Sequence, residues 1–188
     1  PWTQHLGRVA VPDGEDAGGT VCRGGEAAAA EPGLVRAIGR RGHDVGNHRA
    51  TQPGRWFWAL PPQRMRQEIE RTQQILEQIT GVRPRWFRAV VGMSNPFVAS
   101  ALKRARLTRV AWSARGFDGV VADPARVLAD VGRGLAPGAI VLMHEGAAHG
   151  RNLEAMAALM QRLEALGYGT VLPDMQIDGN HESAIGTS

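Results

Sequence analysis

The segment Arg41-Gly42-His43-Asp44-Val45-Gly46-Asn47-His48 carries the most suggestive spacing in this chain. A short run punctuated by apolar residues ends directly on a histidine, and in α/β proteins the carboxyl ends of strands are where chemistry sits. Three later segments share the pattern: Phe87-Arg88-Ala89-Val90-Val91-Gly92, Val110-Ala111-Trp112-Ser113 and Ile140-Val141-Leu142-Met143-His144-Glu145. Each carries one chemically useful side chain, Arg88, Trp112 or His144, at or just past the end of a strand-like run. Histidine in such a place can ligate a metal or carry a proton near neutral pH. His48 alone reads as an ordinary exposed loop histidine, and only the ordered set of segments gives it weight.

The surrounding sequence supplies elements that can position these residues. Glu31-Pro32-Gly33 opens a helix with Leu34, Val35 and Ile38 on one side and a stop at Gly42, the expected proline-first, glycine-last asymmetry. Pro61-Pro62 precedes the clearest helix, whose Met65, Ile69, Thr72, Leu76 and Ile79 share a face before Gly81 ends it. Asn95-Pro96 starts a helix running to about Arg106, and Asp123-Pro124 starts another that ends by Gly134. Asn152 begins a last helix, for which the spacing predicts a buried stripe of Leu153, Met156, Met160, Leu163 and Leu166. Strand and helix alternate, which predicts parallel strands joined by helical crossovers. Six strands are expected near residues 19–23, 43–46, 86–89, 108–112, 139–143 and 169–172. Residues 1–18 read as an irregular N-terminal segment, 19–174 as the domain and 175–188 as a frayed tail.

Composition narrows the function classes. A chain of 188 residues, 43% hydrophobic and 21% charged, reads as one globular domain. The net charge of +4 comes from scattered arginines without interleaved aromatics, so no nucleic-acid partner is expected. Cys22 is the single cysteine, which excludes an internal disulfide and a Cys-based zinc site, and Thr20-Val21-Cys22 reads as buried strand. No run is long and apolar enough to be a transmembrane segment, and no signal peptide is visible. Because the chain starts Pro1-Trp2 without Met, it reads as trimmed, and cytoplasm and cell envelope both stay open. There is no dinucleotide or Walker glycine pattern after a strand and no Gly-x-Ser-x-Gly elbow.

Taken together, Gly-His-Asp-Val-Gly-Asn-His, the Phe87-Arg88 strand end, Trp112-Ser113 and Leu142-Met143-His144, with the Gly81-Val82-Arg83-Pro84 approach, resemble the polysaccharide deacetylase family. These are the NodB-like amide hydrolases, also called carbohydrate esterase family 4. The resemblance spans roughly Gly19 to Leu172. It implies an incomplete (β/α) barrel lacking the family's first strand, with residues 1–18 loosely covering the seam. It also implies an N-acetylated glycan or another small acetamide as substrate. In that family a divalent metal, usually zinc, is held by one Asp and two His four residues apart. A neighbouring Asp is the general base and a later His the general acid.

Carried over by position, the family roles fall unevenly. His48 matches the first metal histidine, and Gln52 before Pro53 stands where the second belongs. The Thr-Phe-Asp-Asp-Gly-Pro segment has no counterpart beyond a faint echo at Val9–Gly14, and Asp13, Glu15 and Asp16 read as surface loop acids. Arg88 matches the residue that orients the base. Val91 takes the place whose backbone N–H faces the oxyanion, although Ala89-Val90-Val91 replaces the family's Pro-Pro-Tyr. Trp112 and Leu142 match the pocket for the acetyl methyl group. Arg115 stands at an acidic position, with Asp118 three residues on, and His144 matches the general acid. His149 has no counterpart and reads as a loop histidine.

The resemblance therefore predicts that His48, Arg88, Trp112 and His144 converge on one cleft. It also predicts weak zinc binding and little or no deacetylase activity, because only one of three metal-binding positions is filled by a good ligand. Rescue by His43, His149 or Asp44 would need a rearranged loop. The alternative is a catalytically silent member of the same fold that binds a glycan or a protein.

Overall fold

The computed structural model describes residues 3–10, 18–49, 60–88 and 96–173. One eight-stranded sheet organises them: β1 (Thr3–Ala10), β2 (Thr20–Gly24), β3 (Asp44–Arg49), β4 (Trp86–Phe87), β5 (Thr108–Arg109), β6 (Ala114–Arg115), β7 (Ile140–Glu145) and β8 (Gly169–Val171). Their order is β5-β4-β3-β2-β1-β7-β6, with β8 also paired to β1. Strands β2 to β5 pair in parallel, as do β6 and β7. Because β2, β7 and β8 each run antiparallel to β1, all strands except β1 share one direction. The parallel α/β architecture predicted by the alternating pattern is present.

The two ends of this sheet are close together in space. Val110 N–H donates to Phe87 at one end (2.9 Å), and Ser113 N–H donates to Ile140 at the other (3.0 Å). Three peptide steps separate these residues and reach about 11 Å at most. The sheet therefore curls into a barrel that stays open between β5 and β6, with no ladder between them among the described residues.

Residues 3–10 overturn the expectation of an irregular N-terminal segment. They form β1, which inserts between β2 and β7, placing Gln4 opposite both Cys22 and His144. Without it, two strand edges would face each other with unpaired backbone groups, a liability that pairing removes. Gly7 and Arg8 blur the two-residue alternation in this strand, which hid it from pattern reading. The short β6 was missed for a similar reason, since two residues carry no period.

The helices are α1 (Gly25–Ala30), α2 (Pro32–Arg40), α3 (Pro62–Thr80), α4 (Pro96–Ala105), α5 (Pro124–Gly132) and α6 (Asn152–Ala165). Gly81 ends α3 in a left-handed conformation (φ +75°), and the Asp123 carboxylate caps α5 by accepting from Ala125 N–H. α3 buries Met65, Ile69, Thr72 and Leu76 as its spacing predicts. The predicted stripe of α6 is corrected: Asn152, Ala155, Leu159 and Leu163 are buried, whereas Leu153 is 81% exposed. The inward face is set by small Ala155 against the sheet and by the hydrogen bonds of Asn152, not by the larger apolar count.

Alternation across the sheet divides the core and aims the site. On β7, Val141 and Met143 pack outward with Val127, Val131, Leu159 and Leu163 of α5 and α6. Leu142 faces inward to Cys22, Trp86 and Val110, with Trp112 and Ile140 against them. His144 follows Leu142 by two residues, so it lies on the same inner face at the carboxyl end of the strand.

Candidate functional site

β3 delivers His48 to its carboxyl end. Asn47 points outward, where its amide donates to the Ile69 carbonyl (3.0 Å) and to Gln73 Oε1 (3.0 Å), locking the strand onto α3. His48 therefore turns inward, and at 8% exposure it is a buried strand-end residue, not an exposed loop histidine. Its Nδ1 lies 2.8 Å from the Arg88 carbonyl. A carbonyl only accepts, so Nδ1 carries the hydrogen and Nε2 holds the lone pair of the neutral ring.

Arg88 follows β4 and is fully buried. Its backbone N–H donates to Asn47 O (2.9 Å), and Nη1 donates to the Val110 carbonyl (3.0 Å). The guanidinium carbon sits 3.5 Å from the centroid of the Trp112 ring. Burial pulls this guanidinium down to about 10, the nearby Cys22 opposes that fall, and the Arg115 charge adds to it. Cys22, completely buried, is pushed up to about 12 by desolvation and stays a neutral thiol. The structure thus links His48 to Arg88, Arg88 to Trp112, and Trp112 to the Leu142 cluster.

His144 is the other pole of the site. Asp118, 1% exposed, accepts from the His144 backbone N–H (2.7 Å) and from its Nδ1 (2.9 Å). Asn152 at the start of α6 reaches over to donate to the Asp118 carbonyl (2.9 Å) and carboxylate (3.2 Å), and its Oδ1 accepts from Ala147 N–H (2.8 Å). His149 Nε2 lies 2.8 Å from the same Asp118 carbonyl, and its Nδ1 accepts from Arg151 N–H (3.0 Å). His149 is thus a loop staple. Gly119 lies against the His144 ring, where an added Cβ would stand 3.6 Å from Nδ1. Both oxygens of Asp118 are engaged, which orients the imidazole with Nε2 directed away from the carboxylate.

Asp118 and Asn152 are the functional neighbours that sequence reasoning did not assign. Asp118 lies in a loop with no period, and its only signal was its place three residues after Arg115. Gln52, Val91, Asn95, Asp13, Glu15 and Asp16 lie outside the described residues.

The zinc implied by resemblance is tested by the donors present. Among the described residues no three His, Cys, Asp or Glu side chains gather where they could hold a metal ion. Asp44 does not come to the aid of His48: it starts β3, accepts from Trp86 Nε1 (3.1 Å) and pairs with Arg85 (3.4 Å). His43 lies at that same opposite end, lining a basic cavity with Arg36, Arg40 and Arg85. The described residues therefore do not fit a zinc centre. No helix among them is long and apolar enough to cross a membrane.

Comparison with known proteins agrees with this architecture. The family model described as polysaccharide deacetylase matches residues 13–110, slightly more than half of the chain. A chitooligosaccharide deacetylase of Bradyrhizobium sp. is 29% identical over 152 residues, covering 79% of this chain and 68% of that protein. A family 4 carbohydrate esterase from Streptomyces lividans, solved with acetate, superposes with a TM-score of 0.74 at 31% identity, covering 84% of this chain and 85% of that one. A CE4 family pseudoenzyme from Bacillus anthracis also superposes with a TM-score of 0.74, at 25% identity, covering 82% of this chain. The present chain spans 53% of that pseudoenzyme and 44% of a further relative from Bacillus subtilis.

Proposed function

This chain belongs to the polysaccharide deacetylase family, and on that footing we propose that its cleft receives an N-acetylated glycan, or another small acetamide, and hydrolyses it only weakly. The observation that carries this reading is the asymmetry of the cleft. The acid side is complete, with His144 held by Asp118 and Asp118 held by Asn152. On the metal side, no group of three His, Cys, Asp or Glu side chains that could hold an ion gathers among the described residues.

Trp112 and Leu142 offer the apolar pocket for the acetyl methyl group, next to inward-facing His144. With Nδ1 held by Asp118, Nε2 is the ring nitrogen that would pass a proton to the departing amine nitrogen. General acid assistance of this kind contributes about 10²–10⁴-fold. In the family the metal supplies an activated water and polarises the amide carbonyl. Gln52 and the Val91 N–H hold two further positions of the family's site by place in the sequence, and the two aspartates have no counterpart. Gln52 offers a neutral amide oxygen where imidazole is expected, a poor exchange for zinc. The similar Bacillus anthracis protein, described as a pseudoenzyme, supports the weak-turnover reading.

The test pairs zinc titration by calorimetry with acetate release from an N-acetylated chito-oligosaccharide. Expected results are no micromolar zinc site, acetate release near background, and oligosaccharide binding lost on Trp112→Ala. Micromolar zinc binding, with metal-dependent acetate release abolished by His48→Ala, overturns the weak-hydrolysis part. Absence of oligosaccharide binding at millimolar concentration overturns the glycan part.

A further inference from the structure

We infer that Arg115, held between Trp112 and Phe117, recognises a carboxylate carried by the N-acetylated sugar that binds beside His144. This assignment rests on the glycan reading above and specifies its substrate class as acidic.

Arg115 ends β6 in register with Leu142, two residues short of His144 on the neighbouring strand. Its alternation partner Ala114 is buried in the outer core, so Arg115 projects to the opposite, inner side of the sheet. The guanidinium carbon stands 4.1 Å from the Phe117 ring centroid and 5.6 Å from that of Trp112. Two aromatic faces thus hold an exposed cation in place, and they leave its in-plane N–H groups to project outward. Arg115 makes no ion pair among the described residues.

The loop is built to hold this stack. Gly116 packs beneath α5, where an added Cβ would lie 2.4 Å from Val127 Cγ1 and 2.7 Å from the Val127 carbonyl. Phe117 then adopts a left-handed conformation (φ 56°), rare for an aromatic residue, and is 42% exposed. Val120 and Val121 N–H groups both donate to the Phe117 carbonyl (2.9 Å each), closing the turn. Asp118 points inward from the same loop and is consumed by His144. The loop therefore presents its carboxylate to the acid and its cation to the cleft mouth.

The charge in the cleft points the same way. Arg115 lies close enough to Arg88 for its positive charge to oppose the Arg88 guanidinium. A planar guanidinium with a free edge matches a carboxylate through two parallel hydrogen bonds. Holding the fork in advance reduces the entropy lost on binding.

The experiment compares binding of N-acetylmuramic acid, which carries a lactyl carboxylate, with binding of N-acetylglucosamine, by calorimetry on the full chain. A charge-assisted pair at an exposed site implies about tenfold tighter binding of the acidic sugar at low salt, shrinking as salt is added. Arg115→Gln should bring the ratio of the two affinities to about one. Arg115→Lys should retain only part of it, because a point charge cannot fork. Phe117→Ala, which leaves the cation but removes one face of the stack, should lower the ratio as well. Arg126→Gln, on the exposed side of α5, controls for attraction by net charge and should leave the ratio unchanged. Equal affinities in the wild-type protein, or an unchanged ratio in Arg115→Gln, overturn the Arg115 assignment while leaving glycan binding standing. Absence of binding by both sugars overturns both.

Discussion

Replacing Asn152 by alanine should destabilise the protein far more than replacing Leu153, although Leu153 is the larger apolar residue. Asn152 is 6% exposed and its side chain makes three hydrogen bonds across two loops. The Asp118 carbonyl keeps a second donor, His149 Nε2 at 2.8 Å, and the Asp118 carboxylate keeps His144. The Ala147 N–H keeps none among the described residues, and Ala147 is 5% exposed. An orphaned buried donor costs about 1–3 kcal/mol, and the other lost bonds add roughly 1 kcal/mol in total. Better helix propensity of alanine returns at most about 0.7 kcal/mol. The expected loss is therefore about 1.3–3.3 kcal/mol, or roughly 3–13 °C in Tm for a domain of this size. Leu153, 81% exposed, should stay within about 0.5 kcal/mol on truncation. Thermal and urea unfolding followed by circular dichroism reads both variants. If Leu153→Ala costs more than Asn152→Ala, the inward face of α6 is the apolar stripe after all, and Asp118 loses its support.

Three further outcomes follow from the inner core. An alanine Cβ at Gly46 would lie 2.7 Å from Cys22 Sγ, so Gly46→Ala should cost about 1–3 kcal/mol; Cys22→Ala in the same chain should recover much of it, and additive costs in the double-mutant cycle would refute the contact. Cys22, raised from 9.0 to about 12, keeps its proton in the fold while the unfolded chain releases it. Stability is then lost as pH rises from about 9 towards 12, and Cys22→Ala should show a shallower alkaline decline in urea titrations; parallel declines would refute the shift. Leu159→Ala, at a site 4% exposed, should cost about 2–5 kcal/mol, and a loss under 1 kcal/mol would remove Leu159 from the core between α5 and α6.

His48, Arg88, Trp112 and His144 stand out in the chain because each follows a short apolar run, and the structure places them at or just past strand ends of one parallel sheet. Their chain order carries over directly into space when the crossovers are regular. α3 was legible for a related reason: its apolar residues recur on one face and nothing else competes. α6 offered two candidate faces, Asn152-Ala155-Leu159-Leu163 and Leu153-Met156-Met160-Leu163, and apolar counting favours the second. The first wins because Asn152 has partners only if it faces inward, and two of its three hydrogen bonds run 34 residues back to Asp118. No local pattern can encode such a contact. β1 was hidden for the same reason, since its place is set by the unpaired edges of β2 and β7 and not by its own alternation.

The limits of the sequence reading and the chemistry of the site meet at Asp118. Its carboxylate is buried by packing from α6, aimed by Gly116 and Phe117, and used by His144 on β7. A residue whose position depends on three separate elements leaves no periodic trace. The left-handed Phe117 next to it has a conformational cost of about 1–3 kcal/mol, which a loop keeps only where its surroundings hold it. The strain and the buried acid belong to one device. The turn that forces Phe117 outward also drives Asp118 inward, so the orientation of the His144 ring and the placement of Arg115 are set together. Relaxing that turn with Phe117→Gly should therefore disturb both the acid and the cationic edge of the cleft. Phe117→Ala, which keeps a side chain at the left-handed position, should act mainly on the Arg115 stack.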